Sequence, residues 1–402
     1  MARLWSSGLE LNSLTAGVEV TGTSVAGGGA VAIDATTKRT GSYSFRSSNA
    51  GAAGRAIFNQ NFVSADTSNK HFFRAYIYVV DLPSAVSTIL NVEALAGTDR
   101  GKIRINTDGT CFLEDGAGTQ VGSASSALSL NTWYRLELMV YNNTGSGKME
   151  LAFNLNGTEI ASTTTSTATG TFGNFAVGFT SSVSSYDAYF DDVAINDTSG
   201  ASQTSFPGEG KIIHLRPNAS GDANAWLNTA GGAGDANNYA LTDEVTPDDA
   251  TTMIQSGILN SEDLYNCDSS GIGASDTVNV VSIGGRFRND TADALTSFKF
   301  EVEKTSGGTK AQSAAIIPNS TTWKTNAIAS PWNYPLTLYA DPDSAAWTQA
   351  TLDTMQIGVT DSAININKIQ VSTVWALVDY TVVSGTVVKD LIMSGGIIPF
   401  AR

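Results

Sequence analysis

Two pairs of closely spaced carboxylates in this chain are candidates for acid–base catalysis. Hydrolysis of a glycosidic bond needs two carboxyl groups flanking the bond, and a β-strand provides them when both residues share a face. Glu301 and Glu303 have same-face spacing, but lysines bracket the pair, which favours the solvated face of a strand. Glu114 and Asp115 fall where a turn is expected. These pairs give little support to a hydrolase.

The two histidines, His71 and His214, are the candidates for nucleophilic catalysis. A catalytic triad needs a histidine beside its nucleophile, and no Gly-x-Ser-x-Gly elbow accompanies either residue. Both lie in strand patterns and are interpreted as structural, so we expect a protein without enzymatic activity. Cys111 and Cys267 are far apart in the chain and are interpreted as free thiols.

Three carboxylates at the two ends of the first strand series suggest a metal site. Glu10 lies near the start of the chain, and Asp191 and Asp192 lie in the last strand before a polar segment. Because the first and last strands of a β-sandwich often pair, Glu10 is expected to approach one of the aspartates. Carboxylate oxygens held together suit calcium. The alternative is that these carboxylates cap turns or face solvent without a metal.

Aromatic side chains in loops are candidates for binding sugar rings by stacking. The candidate glycan-binding residues are Tyr186, Trp226, Trp332 and Tyr334, which lie in or near expected loops. The segment 332–335 has a second interpretation, a plug that closes the end of a sandwich. The sequence does not decide whether this segment is a sugar-binding platform or a plug.

Alternation of apolar and polar residues dominates the chain and indicates β-strands. Runs at 71–80, 132–141 and 148–155 show it clearly, and Asn156-Gly157 marks a two-residue hairpin turn. Closely spaced strands with Gly and Asn turns are typical of sandwiches and jelly rolls. We therefore predict an all-β protein with two antiparallel β-sandwich (jelly-roll) domains in tandem and one short helix or turn near 348–353.

Composition shifts place the domain boundaries. We predict a first domain over 1–198, a polar linker over 199–210, a second domain over 211–380 and an apolar, glycine-punctuated tail over 381–402. The tail either packs on its own domain or docks on a neighbouring protein. The residues that would carry docking are Leu391, Ile392, Ile397, Ile398 and Phe400.

The charge and hydropathy of the sequence restrict the classes of partner that the protein is expected to bind. The chain has 402 residues, a formal net charge of −15 and only 15% charged residues. Nucleic acid is a disfavoured partner, because phosphate binding needs a basic face. No apolar run is long enough to span a membrane, and the first residues do not resemble a signal peptide. We therefore expect synthesis in a cytoplasm and no membrane insertion.

Four motifs in the first domain resemble the concanavalin A-like, laminin-G-like jelly roll. They are WSSGLE at 5–10, TGSYSFR at 40–46, NTWYRLE at 131–137 and FDDV at 190–193. Some carbohydrate-binding modules of this shape hold a structural calcium between the opening glutamate and the closing aspartate pair. The resemblance therefore implies a calcium site at Glu10 with Asp191 or Asp192.

The chain as a whole resembles virion proteins of tailed bacteriophages. The second domain contributes YADPD at 339–343, AWT at 346–348 and VDY at 378–380. This resemblance implies a structural virion protein, as a head decoration, a head fibre or a tail-associated protein, with capsid or tail subunits as partners and a homo-oligomeric state. The alternative is a glycan-binding adhesin that recognises host surface carbohydrate, and a glycan hydrolase is the least favoured function.

Overall fold

The computed structural model describes residues 2–62, 70–228, 236–249, 251–256, 258–326, 333–363 and 367–383. Within these ranges the chain is almost entirely β-structure, as the alternation predicts, and it forms two antiparallel sandwiches. None of the helices in the described ranges has the length and apolar character that crossing a membrane requires.

The first sandwich is built from strands between Arg3 and Asn196. Its bounds are β1 (Arg3–Ser7), β2 (Gly22–Ala26), β3 (Gly29–Asp34), β4 (Ser44–Asn49), β5 (Gly54–Asn61), β6 (Lys70–Asp81), β7 (Ser87–Glu93), β8 (Asp99–Ile105), β9 (Cys111–Asp115), β10 (Gln120–Val121), β11 (Trp133–Asn143), β12 (Lys148–Leu155), β13 (Thr158–Ser166), β14 (Asn174–Val183) and β15 (Tyr186–Asn196).

These strands form two facing sheets. The first, which we call the β6 sheet, has the order β13-β12-β11-β6-β15-β4-β3, with β1 paired to β15. The second, the β7 sheet, has the order β10-β9-β8-β7-β14-β5-β2. Apolar residues from both sheets meet in one core that includes Phe45, Phe73 and Phe175, each fully buried. Burial of alternate side chains along each strand is what holds the two sheets face to face.

Local sequence explains the tight turns between neighbouring strands. Asn156 (φ 52°) and Gly157 (φ 85°) join β12 to β13, and both adopt the positive φ that a two-residue hairpin of this type requires. The predicted Asn-Gly turn is therefore confirmed.

The second sandwich is built from strands between Lys211 and Thr381. Its bounds are β16 (Lys211–Leu215), β17 (Pro217–Asn224), β18 (Ile254–Ser256), β19 (Glu262–Cys267), β20 (Thr277–Asn289), β21 (Ser297–Glu303), β22 (Lys310–Gln312), β23 (Lys324–Thr325), β24 (Leu336–Leu338), β25 (Gln356–Ala363) and β26 (Ile369–Thr381).

One sheet of the second sandwich has the order β16-β26-β20-β23, with β18 on β26 and β24 on β20; the other has the order β17-β19-β25-β21-β22. Phe287, Phe298 and Phe300 pack edge to face or tilted between them. The short helix α1 (Gln349–Leu352) begins where the sequence predicts it, because Thr348 caps its first turn.

A small apolar cluster joins the two sandwiches. The first sandwich contributes residues that precede β2, and the second contributes residues of β16, β26 and the segment before β24. The members of the cluster are Leu11, Val18, Ile212, Tyr334, Trp375 and Leu377, each buried. This cluster removes water from the charged groups that flank it, which strengthens their interactions.

A buried ion-pair group lies beside this cluster. Asp379 Oδ2 in β26 accepts hydrogen bonds from Arg3 Nη1 (2.7 Å) and Arg74 Nη2 (2.9 Å), and its Oδ1 accepts from Asn279 Nδ2 (3.0 Å). The three charged side chains are at most 1% exposed. Arg3 also donates from Nε to Asn196 Oδ1 at 2.6 Å. One carboxylate of the second sandwich therefore forms ion pairs with two guanidinium groups of the first.

Candidate functional site

Two of the carboxylates predicted as metal ligands hold one loop, 39–43, that precedes β4. Asp191 Oδ2 accepts a hydrogen bond from the backbone N–H of Arg39 at 2.8 Å. Glu10 accepts from the other half of the loop, where the Ser42 N–H lies 2.9 Å from Oε2 and 3.0 Å from Oε1. We call Glu10, Asp191 and the loop they hold the carboxylate clamp. Glu10 and Asp191 therefore bind the same loop at different positions.

Asp192 connects the clamp to the second sandwich. Its Oδ1 accepts hydrogen bonds from the Thr40 hydroxyl and from the Ile212 N–H (2.6 Å), and its Oδ2 accepts from Arg39 Nη1 (2.5 Å). A β-bulge lets consecutive aspartates serve the same loop, because the register of β15 against β6 shifts after Asp191 and Asp192 takes a φ of 50°.

Burial controls the protonation of this region. It raises the pKa of Glu10 to about 8 and the pKa of Glu19 to about 7, and the nearby Arg216 offsets part of each shift. Burial also raises the pKa of Asp191 well above its usual range, and the negative charge of Asp192 adds to that shift. The clamp is therefore a place where carboxyl groups hold protons near neutral pH.

The clamp supplies its carboxylates with hydrogen-bond donors from the protein itself. Backbone N–H groups point at Glu10 and Asp191, and a guanidinium pairs with Asp192. Calcium would need several of these oxygens turned toward a common centre. Within the described ranges, no group of three or more His, Cys, Asp or Glu side chains is placed to hold a metal ion. A calcium site at Glu10 with Asp191 or Asp192 stays a prediction.

The predicted sugar-stacking residues are buried wherever the structure describes them. Tyr186 is 1% exposed and stacks on Phe179 at 4.2 Å, because it closes the core of the first sandwich. Trp226 is 0% exposed in the second core and donates from Nε1 to Ser261 O at 3.1 Å. Tyr334 is 6% exposed in the cluster between the sandwiches. These three rings do not present a face to solvent.

Several predicted residues lie outside the described residues. They are Trp332 of the glycan-binding set and the docking residues Leu391, Ile392, Ile397, Ile398 and Phe400. For the segment 332–335, the placement of Tyr334 between the two sandwiches agrees with the plug interpretation rather than with a platform.

The predicted solvated face at Glu301 and Glu303 is wrong. The two side chains are 0% and 2% exposed, because neighbouring strands carry polar side chains that cover them. Gln312 Nε2 donates to Glu301 Oε2 at 2.9 Å, and Lys310 Nζ lies 3.7 Å from Glu303 Oε2. Burial raises the pKa of Glu301 to about 8. The pair is packed within the sheet and is not presented to a substrate.

The two histidines are packed against aromatic rings. His71 is 2% exposed and lies 5.0 Å from the ring of Phe172. His214 stacks on Trp375 with ring centroids 5.7 Å apart, and burial holds its pKa well below the usual range. A histidine kept neutral in an aromatic environment fits the structural interpretation.

A polar groove of about 670 Å³ lies on the outer face of the β7 sheet. Register explains its composition, because cross-strand pairing sets Glu93 of β7 opposite both Asn174 of β14 and Asp99 of β8. Asn91 lies two residues before Glu93 on the same strand and pairs with Lys102. Two carboxylates directly opposite one another repel, so the surrounding side chains must compensate.

Asn91 provides most of that compensation. Its Nδ2 donates to Glu93 Oε1 at 2.6 Å and to Asp99 Oδ1 at 2.8 Å. Asn174 Nδ2 donates to Glu93 Oε2 at 2.9 Å, and Lys102 Nζ donates to Asp99 Oδ2 at 2.7 Å. Burial nevertheless raises the pKa of Glu93, and the charge of Asp99 adds to the rise.

Two amide oxygens of the groove have no hydrogen-bond partner. They are Asn91 Oδ1 and Asn174 Oδ1, and Asn91 is only 3% exposed. The carboxylates can only accept, so each amide nitrogen must face Glu93 and each amide oxygen must face away from it. A buried acceptor without a donor carries a desolvation cost.

Sequence reasoning missed this groove. The available signal was the pair Asn91 and Glu93, polar residues spaced two apart in the otherwise apolar run 89–95. Such spacing directs both side chains to one face of a strand. The partners Asp99 and Asn174 come from other strands, and only the sheet order brings them to the same place.

Comparison with known proteins gives likeness at the level of structure alone. No protein-family model matches the chain, and no curated protein sequence matches it. One similar solved structure is Cip1, a cellulose-induced protein (TM-score 0.35, 15% identity, 48% of this chain and 96% of that chain). Another is domain 4 of AbnA, a GH43 extracellular arabinanase from Geobacillus stearothermophilus, in complex with arabinotriose (TM-score 0.34, 16% identity, 49% and 92%). A third is Trypanosoma rangeli sialidase (TM-score 0.31, 12% identity, 46% and 29%). Likeness at this level carries no functional argument.

Proposed function

We propose that the chain is a non-enzymatic structural protein of a tailed-bacteriophage virion that acts through protein–protein contacts with capsid or tail subunits. The observation that carries this proposal is the ion-pair group of Arg3, Arg74 and Asp379. Domains of one chain move relative to each other unless their interface is strong. A component of a particle must instead hold its outer domain in a fixed position, and a buried charge group of this kind provides that rigidity.

The packing of the candidate catalytic residues supports the non-enzymatic part of the proposal. His71, Glu301 and Glu303 are nearly inaccessible to a substrate, and His214 is covered by an aromatic ring. The motifs at 339–343 and 378–380 that resemble virion proteins lie at or near the interface between the sandwiches. There the Tyr339 hydroxyl accepts a hydrogen bond from the Arg3 N–H at 2.8 Å.

Mass spectrometry of purified tailed particles tests the proposal. The particles should come from a host culture in which this gene is expressed together with the rest of its phage genome. We expect the chain to copurify with the particles in several copies each, and its absence from them would overturn the proposal.

A variant that ends at residue 383 retains every contact described above and tests the tail separately. We expect that variant to fold normally and to be lost from particles.

A second candidate function is a glycan-binding adhesin, and the polar groove favours it. The groove on the β7 sheet is open and rich in amide and carboxylate groups, which are the side chains that fix sugar hydroxyls. Leu95, 65% exposed at its margin, offers an apolar contact for the face of a sugar ring. This function is compatible with the first, since a rigid virion protein can present a groove to a host surface. Binding of the purified chain to a glycan array tests it.

A further inference from the structure

A smaller pocket, of about 280 Å³, lies on the outer face of the β6 sheet, beside the segment 208–210 that leads into β16. Pairing of β6 with β11 sets Trp133 opposite Tyr78 and Arg135 opposite Tyr76, while the alternate residues Ile77 and Leu136 lie in the core. The side chains on the other face of both strands therefore point away from the core. The pocket is lined by Arg39, Tyr76, Trp133, Arg135, Asn156 and Glu209.

Two hydrogen bonds hold the segment 208–210 against this face. Arg39 Nη1 donates to Gly210 O at 2.7 Å. The Gly208 N–H donates to Glu137 Oε1 at 2.7 Å. Between them, the exposed Glu209 lies at the edge of the pocket. The pocket is therefore composite, because the first sandwich provides five of its lining residues and the connection to the second sandwich provides Glu209.

Trp133 provides an aromatic wall for the pocket. Its side chain is half-buried, and it packs on Tyr78 with ring centroids 5.3 Å apart. On another side, the guanidinium of Arg39 lies 3.4 Å from the centroid of the Tyr76 ring. An indole supported by one ring and a guanidinium supported by another are held in place before any ligand arrives, which lowers the entropy cost of binding.

The two guanidinium groups of the pocket provide hydrogen-bond donors and already have carboxylate partners. Arg39 Nη1 pairs with Asp192 at 2.5 Å, and Arg135 Nε lies 3.1 Å from Glu137 Oε2. Among the described residues, Arg39 donates its side-chain hydrogen bonds from Nη1 alone, so Nε and Nη2 remain as donors for a ligand. The exposed carboxylate of Glu209 adds an acceptor.

We propose that this pocket binds one ring of a neutral saccharide, which stacks on Trp133 and exchanges hydrogen bonds with Arg39 and Glu209. A sugar ring has hydroxyl groups at its edge and C–H groups on its faces, and these match the polar and aromatic sides of the pocket. Pockets for drug-sized ligands usually measure about 300–1,000 Å³, so this one suits a single ring. The inference rests on the glycan-binding candidate above and gives it a site other than the polar groove.

Calorimetric titration of the full chain tests the inference. The probes are neutral trisaccharides built from glucose, mannose, galactose, xylose or N-acetylglucosamine, and we expect at least one of them to bind. Trp133→Ala should weaken that binding about tenfold or more, because it removes the stacking surface. Trp133→Phe should weaken it less, because a phenyl ring retains part of that surface.

Trp323→Ala is the matched control for Trp133→Ala. Trp323 is also half-buried and also lies beside a guanidinium, that of Arg288 at 4.7 Å, but it belongs to the second sandwich. The affinity of this variant should stay within about twofold of the unmodified chain.

Glu209→Ala tests the contribution of the segment that joins the sandwiches. Its side chain is exposed, so its removal leaves the cores intact. We expect binding to weaken about three- to tenfold, the usual range for one hydrogen bond. Leu95→Ala, at the margin of the polar groove, should leave the affinity unchanged.

The outcomes separate this inference from the function on which it rests. If a trisaccharide binds and neither Trp133→Ala nor Glu209→Ala changes the affinity, the inference is overturned and the adhesin function stands. A loss of binding in Leu95→Ala would then assign the site to the polar groove. If no trisaccharide binds, both the adhesin function and the pocket are overturned. Thermal unfolding checks the fold of each variant, and Glu209→Ala decides the question if Trp133→Ala does not fold.

Discussion

Glu10 holds the backbone of Ser42 with both of its carboxylate oxygens, at 3.0 and 2.9 Å. The residue between the two halves of the held loop is Gly41, which has a φ of 56°. A Cβ at that position would lie 2.1 Å from Glu10 Oε1. The clamp therefore needs glycine for two reasons, the left-handed backbone and the space that the carboxylate occupies.

Replacement of Gly41 by alanine should destabilise the protein more than the backbone conformation alone explains. Gly147 has a φ of 65° with nothing within 4 Å of its Cβ position, so Gly147→Ala isolates the conformational cost, about 1 kcal/mol. We expect Gly41→Ala to cost about 1–3 kcal/mol more, the range for an overpacked site. Urea unfolding measures both. Equal losses would show that Glu10 does not constrain the loop.

The stability of the protein should fall between pH 5 and pH 8. Burial raises the pKa of Glu10 to about 8 and that of Glu19 to about 7, so the folded chain binds these protons more tightly than the unfolded chain. Their contribution is fully present below the unfolded pKa of 4.5 and is lost as the pH rises through about 7 and then 8.

Substitution of Glu19 by glutamine tests this pH dependence. Glutamine has no proton to lose, so the unfolding free energy of Glu19→Gln should decline less steeply between pH 5 and pH 8 than that of the unmodified chain. The exposed Glu159 on β13 provides the control, and Glu159→Gln should leave the slope unchanged. Parallel curves for both variants and the unmodified chain would contradict the assignment.

Loss of the Asp379 charge should allow the two sandwiches to unfold in separate transitions. Asp379→Asn removes the carboxylate that Arg3 and Arg74 share, and removal of one member of a buried ion pair costs about 3–5 kcal/mol. The control is Asp187→Asn, since Arg46 in that pair is 40% exposed and such pairs contribute at most about 1 kcal/mol. In calorimetry we expect one transition for the unmodified chain and two for Asp379→Asn. A single transition in both would refute the coupling.

The two cysteines should react at different rates in the folded protein. Cys111 is buried and Cys267 is half-buried, and both are free. Burial raises the pKa of Cys111 to about 12 and also raises that of Cys267, which keeps both as unreactive thiols. With a thiol reagent at pH 8, we expect Cys267 to react first and both to react at least about tenfold more slowly than in urea. Rapid reaction of Cys111 in the folded state would disprove its burial.

The sequence predicted the features that depend on short stretches of chain. Asn156-Gly157 predicts its hairpin because two positive φ angles are needed there, and α1 lies within the predicted helix or turn near 348–353. The two-sandwich architecture follows from alternation repeated in many strands.

Features that depend on sheet order or on the meeting of the two sandwiches could not be predicted in this way. Tyr186 and Tyr334 have the residue type of a sugar platform, and only the packed structure shows that each closes a core. Asn91 and Asn174 are far apart in the chain, and pairing of β7 with β14 places both beside Glu93. Alternation assigns a residue to a face but does not say what covers that face.

The ion-pair group also determines when, during synthesis of the chain, the first sandwich gains its contacts with the second. Among the described strands, Arg3 lies in the first and Asp379 in the last, and the two residues are 376 positions apart. When the ribosome has completed the first sandwich, Arg3 and Arg74 still lack their partner Asp379, which they gain only when β26 emerges. Because contacts at such separation form late, the first sandwich lacks this stabilisation until β26 has been made. A product truncated before β26 would therefore lack the carboxylate that pairs with Arg3 and Arg74.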